Sequence, residues 1–123
     1  MKIEVSNGEL IDKLSILEIK SERIDSPDKL MNIRKELSIL HLAASDILPH
    51  CQQQYIKLKL INEKLWNIED RIRDLERNAN FDKEFVQTAR EVYINNDTRA
   101  EIKKEINLIT GSELSEEKSY QKY

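Results

Sequence analysis

Apolar residues recur along this chain three and four residues apart in four separate stretches. That spacing places side chains on one side of an α-helix, so the pattern predicts four amphipathic helices. The first is predicted to run from Asn7 to about Ile24. Ser6 and Glu9 have the spacing of a capping box, which fixes where this helix begins.

The second and third helices have the apolar spacing of a coiled-coil seam. Pro27 suits the first position of the second helix, where its missing amide hydrogen is not needed, and Pro49 is expected to break or kink that helix. The third helix carries its apolar stripe from Leu58 to Leu75 and is predicted to end near Asn80. Each of these stripes needs an apolar partner along its length.

The fourth helix is predicted to begin after Asp82, which can cap it, and to stop at Gly111. The polar run Asn95-Asn96-Asp97 is a candidate interruption, because these side chains compete with the helical backbone for hydrogen bonds. Without that interruption, the fourth helix would be as long as the third.

The sequence therefore predicts an all-α fold, an elongated antiparallel hairpin or bundle of about four helices with coiled-coil-like seams. The two long helices would each extend roughly 40 Å, whereas a globule of this size has a radius of gyration of about 14 Å. Seams of that length expose more apolar surface than one short helix covers, so we expect a homodimer. Residues 1–111 form one helical domain in this prediction, and residues 112–123 form a C-terminal tail that is either docked or disordered.

Composition narrows the classes of function. The chain has 123 residues with only two glycines and two prolines, too few for the turns of a β-barrel or for a glycine-rich nucleotide loop. Its net charge of −3 gives no broad attraction to nucleic acid, and no run approaches the ~20 apolar residues of a membrane span. The single cysteine, Cys51, and an N-terminal segment unlike a signal peptide favour a cytoplasmic protein.

Several charged residues lack an opposite charge at helical spacing. They are acids of the first helix and bases of the fourth: Glu18, Glu22, Asp25, Arg90, Arg99 and Lys103. Three interpretations remain open. In the first, the acids meet the bases across a helix interface; in the second, the three bases converge on an anionic ligand; in the third, both groups are solvated. On the third helix, by contrast, Glu69 and Asp70 each have Arg73 at helical spacing, as expected for a salt-bridged surface.

The sequence offers no clear catalytic constellation. His41, His50 and Cys51 have no partner at the spacing of a metal site or of a nucleophile with its base, and no cofactor fingerprint is present. Trp66 lies one position off the seam of the third helix, where it is either a packed rim residue or one wall of a cleft. These observations favour a protein that is not an enzyme.

A set of short strings is specific in combination. The strings are Val5–Leu14, Ile16–Lys20, Ile61-Asn62, Leu65–Asp70, Ile72-Arg73, Phe81-Asp82, Ala89-Arg90, Val92-Tyr93, Asn96-Asp97, Arg99-Ala100, Ile102-Lys103, Ile106-Asn107, Gly111-Ser112 and Glu116–Tyr120. With these strings the chain resembles a family of small bacterial and phage proteins of unknown function. The resemblance spans nearly the whole chain except about residues 26–55. It implies occurrence near, or fusion to, glycosyltransferases and surface-polysaccharide proteins, and it assigns no reaction.

The unpaired charges and the polar residues in these strings define a candidate ligand-binding set. It consists of Asn62, Trp66, Glu69, Asp70, Arg73, Arg90, Tyr93, Asn96, Asp97, Arg99 and Lys103. Most of these residues are expected to lie in a polar interior between helices three and four, which either binds a ligand or fixes helix register. The favoured function is a helical binding or scaffolding module, accessory to surface-polysaccharide biosynthesis through a protein partner.

The alternative function is a small all-α enzyme or sensor for a phosphate- or carboxylate-bearing metabolite. Arg90, Arg99 and Lys103 would hold the anion, and Glu69 or Asp70 would serve as the acid or base.

Overall fold

The computed structural model describes residues 1–123 and confirms an all-α fold of four helices without strands. The helices are α1 (Asn7–Arg23), α2 (Pro27–Ala43), α3 (Gln52–Arg77) and α4 (Lys83–Thr110), and a short 3₁₀ turn spans Leu48–His50. None of the four helices is both long enough and apolar enough to cross a membrane.

Local sequence signals set three of the helix ends. The Glu9 amide donates to Ser6 Oγ at 3.1 Å at the start of α1, and the Glu84 amide donates to Asp82 Oδ1 at 3.1 Å at the start of α4. Each bond satisfies an amide that has no partner within the helix. Gly111 ends α4 with a φ of 64°, the left-handed conformation that glycine adopts without strain.

Two predicted features of the helices differ from the structure. The second helix ends at Ala43, well before Pro49, and residues 44–47 form turns. These turns bring Ala44 and Cys51 into the core, where both are fully buried. Helix α4 is continuous through residues 95–97, because the Asn95 amide group donates back to the Glu91 carbonyl at 2.6 Å and so does not break the helical ladder.

Helices α3 and α4 form an antiparallel hairpin, and α1 packs against both of them. Helix α2 packs chiefly on α1. The core lies where the start of α1, the end of α2, the start of α3 and the end of α4 meet, and its buried members are Ile11, Leu14, Ala44, Cys51, Leu58, Ile102 and Ile106. The opposite half of the hairpin consists of α3 and α4 alone.

The start of α1 approaches α4 very closely at Gly8. A Cβ atom at this position would lie 2.4 Å from the Lys103 carbonyl oxygen, so only glycine fits. The Gly8 amide donates to Asn107 Oδ1 at 2.6 Å, which satisfies one of the free amides of the first turn. This contact fixes the first turns of α1 over the last turns of α4.

Candidate functional site

The contact between α1 and α4 contains an ion pair whose carboxylate is buried. Asp12 on α1 is only 2% exposed at its side chain. Arg99 on α4 binds both carboxylate oxygens, with Nε 2.9 Å from Oδ1 and Nη2 2.5 Å from Oδ2. This two-bond fork is the strongest arrangement of an arginine and a carboxylate, and the hydrogen bond to Asp12 raises the pKa of the Arg99 guanidinium.

The third long helix completes the same polar cluster. Asn62 Nδ2 on α3 donates to Asp12 Oδ1 at 2.9 Å and to Ser15 Oγ at 2.8 Å. The Ser15 hydroxyl in turn donates to the Asp12 carbonyl at 2.7 Å. Because α1, α3 and α4 each contribute a side chain, this cluster fixes how the three helices are aligned along one another.

Lys103, one turn beyond Arg99 on α4, holds two carboxylates from different parts of the chain. Its side chain is 12% exposed, and Nζ lies 2.7 Å from Glu9 Oε2 on α1 and 2.9 Å from Glu116 Oε2 in the C-terminal tail. Burial alone would lower the pKa of Lys103, but the two carboxylates outweigh burial and raise it. The Lys103 hydrogen bond lowers the pKa of Glu116 to about 2, with Lys118 adding to the shift.

The tail and α4 border an open hollow. Residues 112–123 have neither helix nor strand, and the Tyr123 ring meets the Tyr93 ring edge to face, with centroids 5.2 Å apart. The hollow between tail and helix has a volume of about 440 Å³ and is lined by Val92, Tyr93, Asn96, Asp97, Arg99, Ala100, Lys103, Lys118, Tyr120, Gln121 and Tyr123. Its size falls in the range of small-molecule sites.

Five members of the candidate set come together at this hollow: Tyr93, Asn96, Asp97, Arg99 and Lys103. Arg99 Nη1 also lies 3.4 Å from Asn96 Oδ1, as a weak additional contact. Asn62 belongs to the buried cluster beneath them. The other members of the set lie elsewhere.

Arg90 does not converge with the other two bases. It precedes Arg99 by nine residues, which is ~14 Å along the helix and about half a turn around it. Its guanidinium is exposed and its Nε lies 3.4 Å from the Tyr93 hydroxyl. A clamp that uses Arg90, Arg99 and Lys103 on one anion is therefore not assembled in this structure.

The α3 members of the set lie mostly at the surface. Glu69 and Arg73 form the expected exposed pair at 3.3 Å, and Asp70 is exposed without an ion pair to Arg73. Trp66 is half-buried, and the guanidinium carbon of Arg23 lies 5.7 Å from its ring centroid. This distance is within the range of a cation–π contact, which makes Trp66 part of the α1–α3 contact.

Two structural expectations about the charges were wrong in their details. The polar interior is centred on Asp12 of α1 rather than lying between α3 and α4. The acids of α1 that meet α4 are Glu9 and Asp12, whereas Glu18 and Glu22 meet Lys59 of α3, at 3.9 and 2.5 Å. The later turns of α1 lie against α3, so their acids reach α3.

Sequence reasoning also missed Asp12, although a signal was present. Asp12 has no base three or four residues away, the same feature that marked Glu18, but it lies between the buried residues Ile11 and Leu14. A carboxylate in that position needs a partner from another helix.

Groups outside this site show little reactive chemistry. Burial raises the pKa of the Cys51 thiol, which disfavours the thiolate that nucleophilic attack requires. No group of three or more His, Cys, Asp or Glu side chains is placed to hold a metal ion.

Comparison with known proteins identifies a family without assigning an activity. No curated protein and no solved structure matches the chain. A family model described as "Family of unknown function (DUF6165)" matches residues 1–123. The chain therefore belongs to this family.

Proposed function

We propose that the protein is a non-enzymatic helical binding module in which the C-terminal tail acts as an exchangeable cover. The observation that carries the proposal is the sharing of Lys103 between Glu9 on α1 and Glu116 in the tail. Glu9 is held by the helical body, whereas Glu116 belongs to a segment without secondary structure. An acidic group of a partner can take the place of Glu116 without any change in the helices.

The buried charges support binding in preference to catalysis. Arg99 directs two of its five N–H donors at Asp12, so its main role is to hold the helices together. Lys103 then offers one cationic contact, backed by the tyrosines and amides of the hollow. Such a surface can recognise an acidic segment.

In our proposal the module takes part in surface-polysaccharide biosynthesis. Its partner is a protein of that process, and both act in the cytoplasm. Its support is the family resemblance described above. The helical body would then act as an accessory that docks an acidic segment of its partner over α4.

A second candidate is a sensor for a phosphate- or carboxylate-bearing metabolite. The observation that favours it is the hollow of about 440 Å³ with Arg99, Lys103 and Lys118 in its lining. A thermal-shift screen with inorganic phosphate, sugar nucleotides and carboxylic acids tests it, because a ligand that binds only the folded state raises the melting temperature.

Co-purification from the native host with matched variants tests the main proposal. Lys103→Gln removes the cation, and Glu116→Gln frees the cation from the tail. We expect a partner that is retained by the wild type, lost with Lys103→Gln and enriched with Glu116→Gln. A set of partners that is identical for all three chains would contradict the proposal.

A further inference from the structure

The side of the α3–α4 hairpin that faces away from α1 carries an open groove. On α3, Lys57, Leu60 and Lys64 line it, and Leu60 and Lys64 each lie two residues from Asn62, which faces α1. Two residues correspond to about 200° around a helix, so these side chains point to the opposite side. On α4, Glu101 is two residues from both Arg99 and Lys103, which contact α1. Its side chain therefore also points away from α1.

We call this surface the outer hairpin face and define it by Lys57, Leu60, Lys64, Thr98, Glu101 and Glu105. The groove within it has a volume of about 450 Å³. Leu60 is 62% exposed, and the apolar side chains Ile56 and Leu108 nearby are 59% and 76% exposed. Neither α1 nor α2 covers this apolar surface.

The charges of the outer hairpin face are separated by helix. The bases Lys57 and Lys64 lie on α3, and the acids Glu101 and Glu105 lie on α4, all of them exposed. None of the four forms an ion pair within the chain. Lys57 and Lys64 also have no acid three or four residues away on their own helix.

The pairing of the two helices sets the height of each charge along the hairpin. Gln54 Nε2 on α3 donates to Glu105 Oε1 on α4 at 3.0 Å, so these two residues lie at one level. Because the helices are antiparallel, Lys57 lies about one turn further along, at a level between Glu101 and Glu105. Lys57 and Glu101 therefore lie at nearly the same height on adjacent helices, whereas Lys64 lies further along α3.

We propose that the outer hairpin face is a homodimer interface whose two-fold axis runs along the hairpin. This axis keeps every residue at its own level and lays α3 of one copy on α4 of the other. Lys57 of each copy then meets Glu101 of the second copy, and Leu60 of each copy enters the groove beside Thr98 of the second copy. Lys57 and Glu101, which form no ion pair within one chain, each gain one in the dimer.

The other two-fold arrangement of the same face is disfavoured by charge. An axis running across the hairpin would lay α3 on α3 and α4 on α4. Lysines would then face lysines and glutamates would face glutamates, and like charges at an interface oppose association. The charge pattern thus selects one of the two geometries.

Charge reversal tests the interface and its geometry together. We expect the wild type to be a dimer by sedimentation equilibrium at about 100 μM, and Lys57→Glu or Glu101→Lys alone to shift it at least tenfold in dissociation constant towards monomer. An equimolar mixture of the two variants should form a heterodimer, and the double variant Lys57→Glu/Glu101→Lys should dimerise again. Circular dichroism confirms that each variant is folded.

Reversal of an exposed lysine on α2, Lys35→Glu, is the matched control and should leave the wild-type dimer unchanged. A wild type that stays monomeric overturns the proposal. A dimer that is unaffected by both single reversals also overturns the proposal. The same holds for a dimer that only Lys35→Glu weakens, because the interface would then lie elsewhere. Single variants that do not associate when mixed would overturn the α3-on-α4 geometry.

Discussion

Asp12 and Arg99, 87 residues apart in the chain, form the buried fork that joins α1 to α4. Asn62 connects the same carboxylate to α3. An ion pair of this kind need not add much net stability, because removing both charges from water is costly. Its effect is to admit one alignment of three helices and to exclude others that would leave Asp12 buried without a partner.

Removal of one member of this pair should therefore be far more costly than removal of both. We expect Arg99→Met to lower the free energy of unfolding by about 3–5 kcal/mol, because it leaves a buried carboxylate uncompensated. Asp12→Leu combined with Arg99→Met should recover most of that loss. Urea denaturation measures both, and Arg90→Met, at an exposed position, should change stability by less than about 0.5 kcal/mol.

Gly8 is the second residue that sets the approach of α1 to α4. Gly8→Ala would normally favour a helix, yet here the new Cβ would meet the Lys103 carbonyl oxygen. We expect it to lower the free energy of unfolding by about 1–3 kcal/mol, the usual cost of overpacking. An increase in melting temperature in a thermal scan would show that α1 and α4 are not held this closely.

The ends of α3 and α4 both have a residue with a left-handed backbone, which is alanine in α3 and glycine in α4. At the end of α3 the Asn80 amide donates to the Leu75 carbonyl at 2.9 Å, and Ala79 has a φ of 51°. At the end of α4 the Ser112 amide donates to the Asn107 carbonyl at 2.9 Å, and Gly111 occupies the left-handed position. Both ends have the 6→1 hydrogen bond of the Schellman motif, and the left-handed residue that it requires is usually glycine.

Ala79→Gly should therefore stabilise the protein, and Gly111→Ala should destabilise it, each by about 1 kcal/mol. The alanine at position 79 bears the cost of a left-handed backbone that glycine avoids. Chemical denaturation of the two variants beside the wild type checks both signs. Equal signs would be inconsistent with this reading of the two helix ends.

The tail contact should depend on pH in a defined window. The pKa of Glu116 falls from 4.5 to about 2 when Lys103 and Lys118 hold it. Since its pKa is depressed, the charged form favours docking, and that contribution is complete above about pH 4.5 and is lost as the pH falls towards 2. Amide chemical shifts of residues 112–123 should report release in that window, and Glu116→Gln should abolish the dependence.

Much of the architecture was predictable from local pattern, and the reason is physical. The periodic apolar stripes and the caps at Ser6 and Asp82 act within a few residues, so the four helices and the starts of α1 and α4 follow from the sequence. The end of α2 at Ala43 does not, because it depends on Ala44 and Cys51 being drawn into a core built by distant segments.

The site was predictable only in part for the same reason. The spacing rule singled out Arg99 and Lys103 as bases without local partners, and the structure gives both of them partners from other segments. The same spacing already places Arg90 half a turn from Arg99, but the rule could not identify the partners of Arg99 and Lys103 on α1. It also could not locate Glu116, because that contact depends on the path of a tail without periodicity.

The exchangeability of the tail at Lys103 is tested most directly by a peptide of residues 112–123 added in trans. In the wild type the covalently attached tail competes at high effective concentration. Glu116→Gln in the protein removes a charge-assisted hydrogen bond of about 1.5–3 kcal/mol from that competitor. Fluorescence anisotropy measures the dissociation constant of the wild-type peptide for each protein. For the Glu116→Gln protein it should be lower than for the wild-type protein by about tenfold or more, and the Lys103→Gln protein should not bind the peptide. Equal affinities for the wild type, Glu116→Gln and Lys103→Gln proteins would contradict a carboxylate-exchange site.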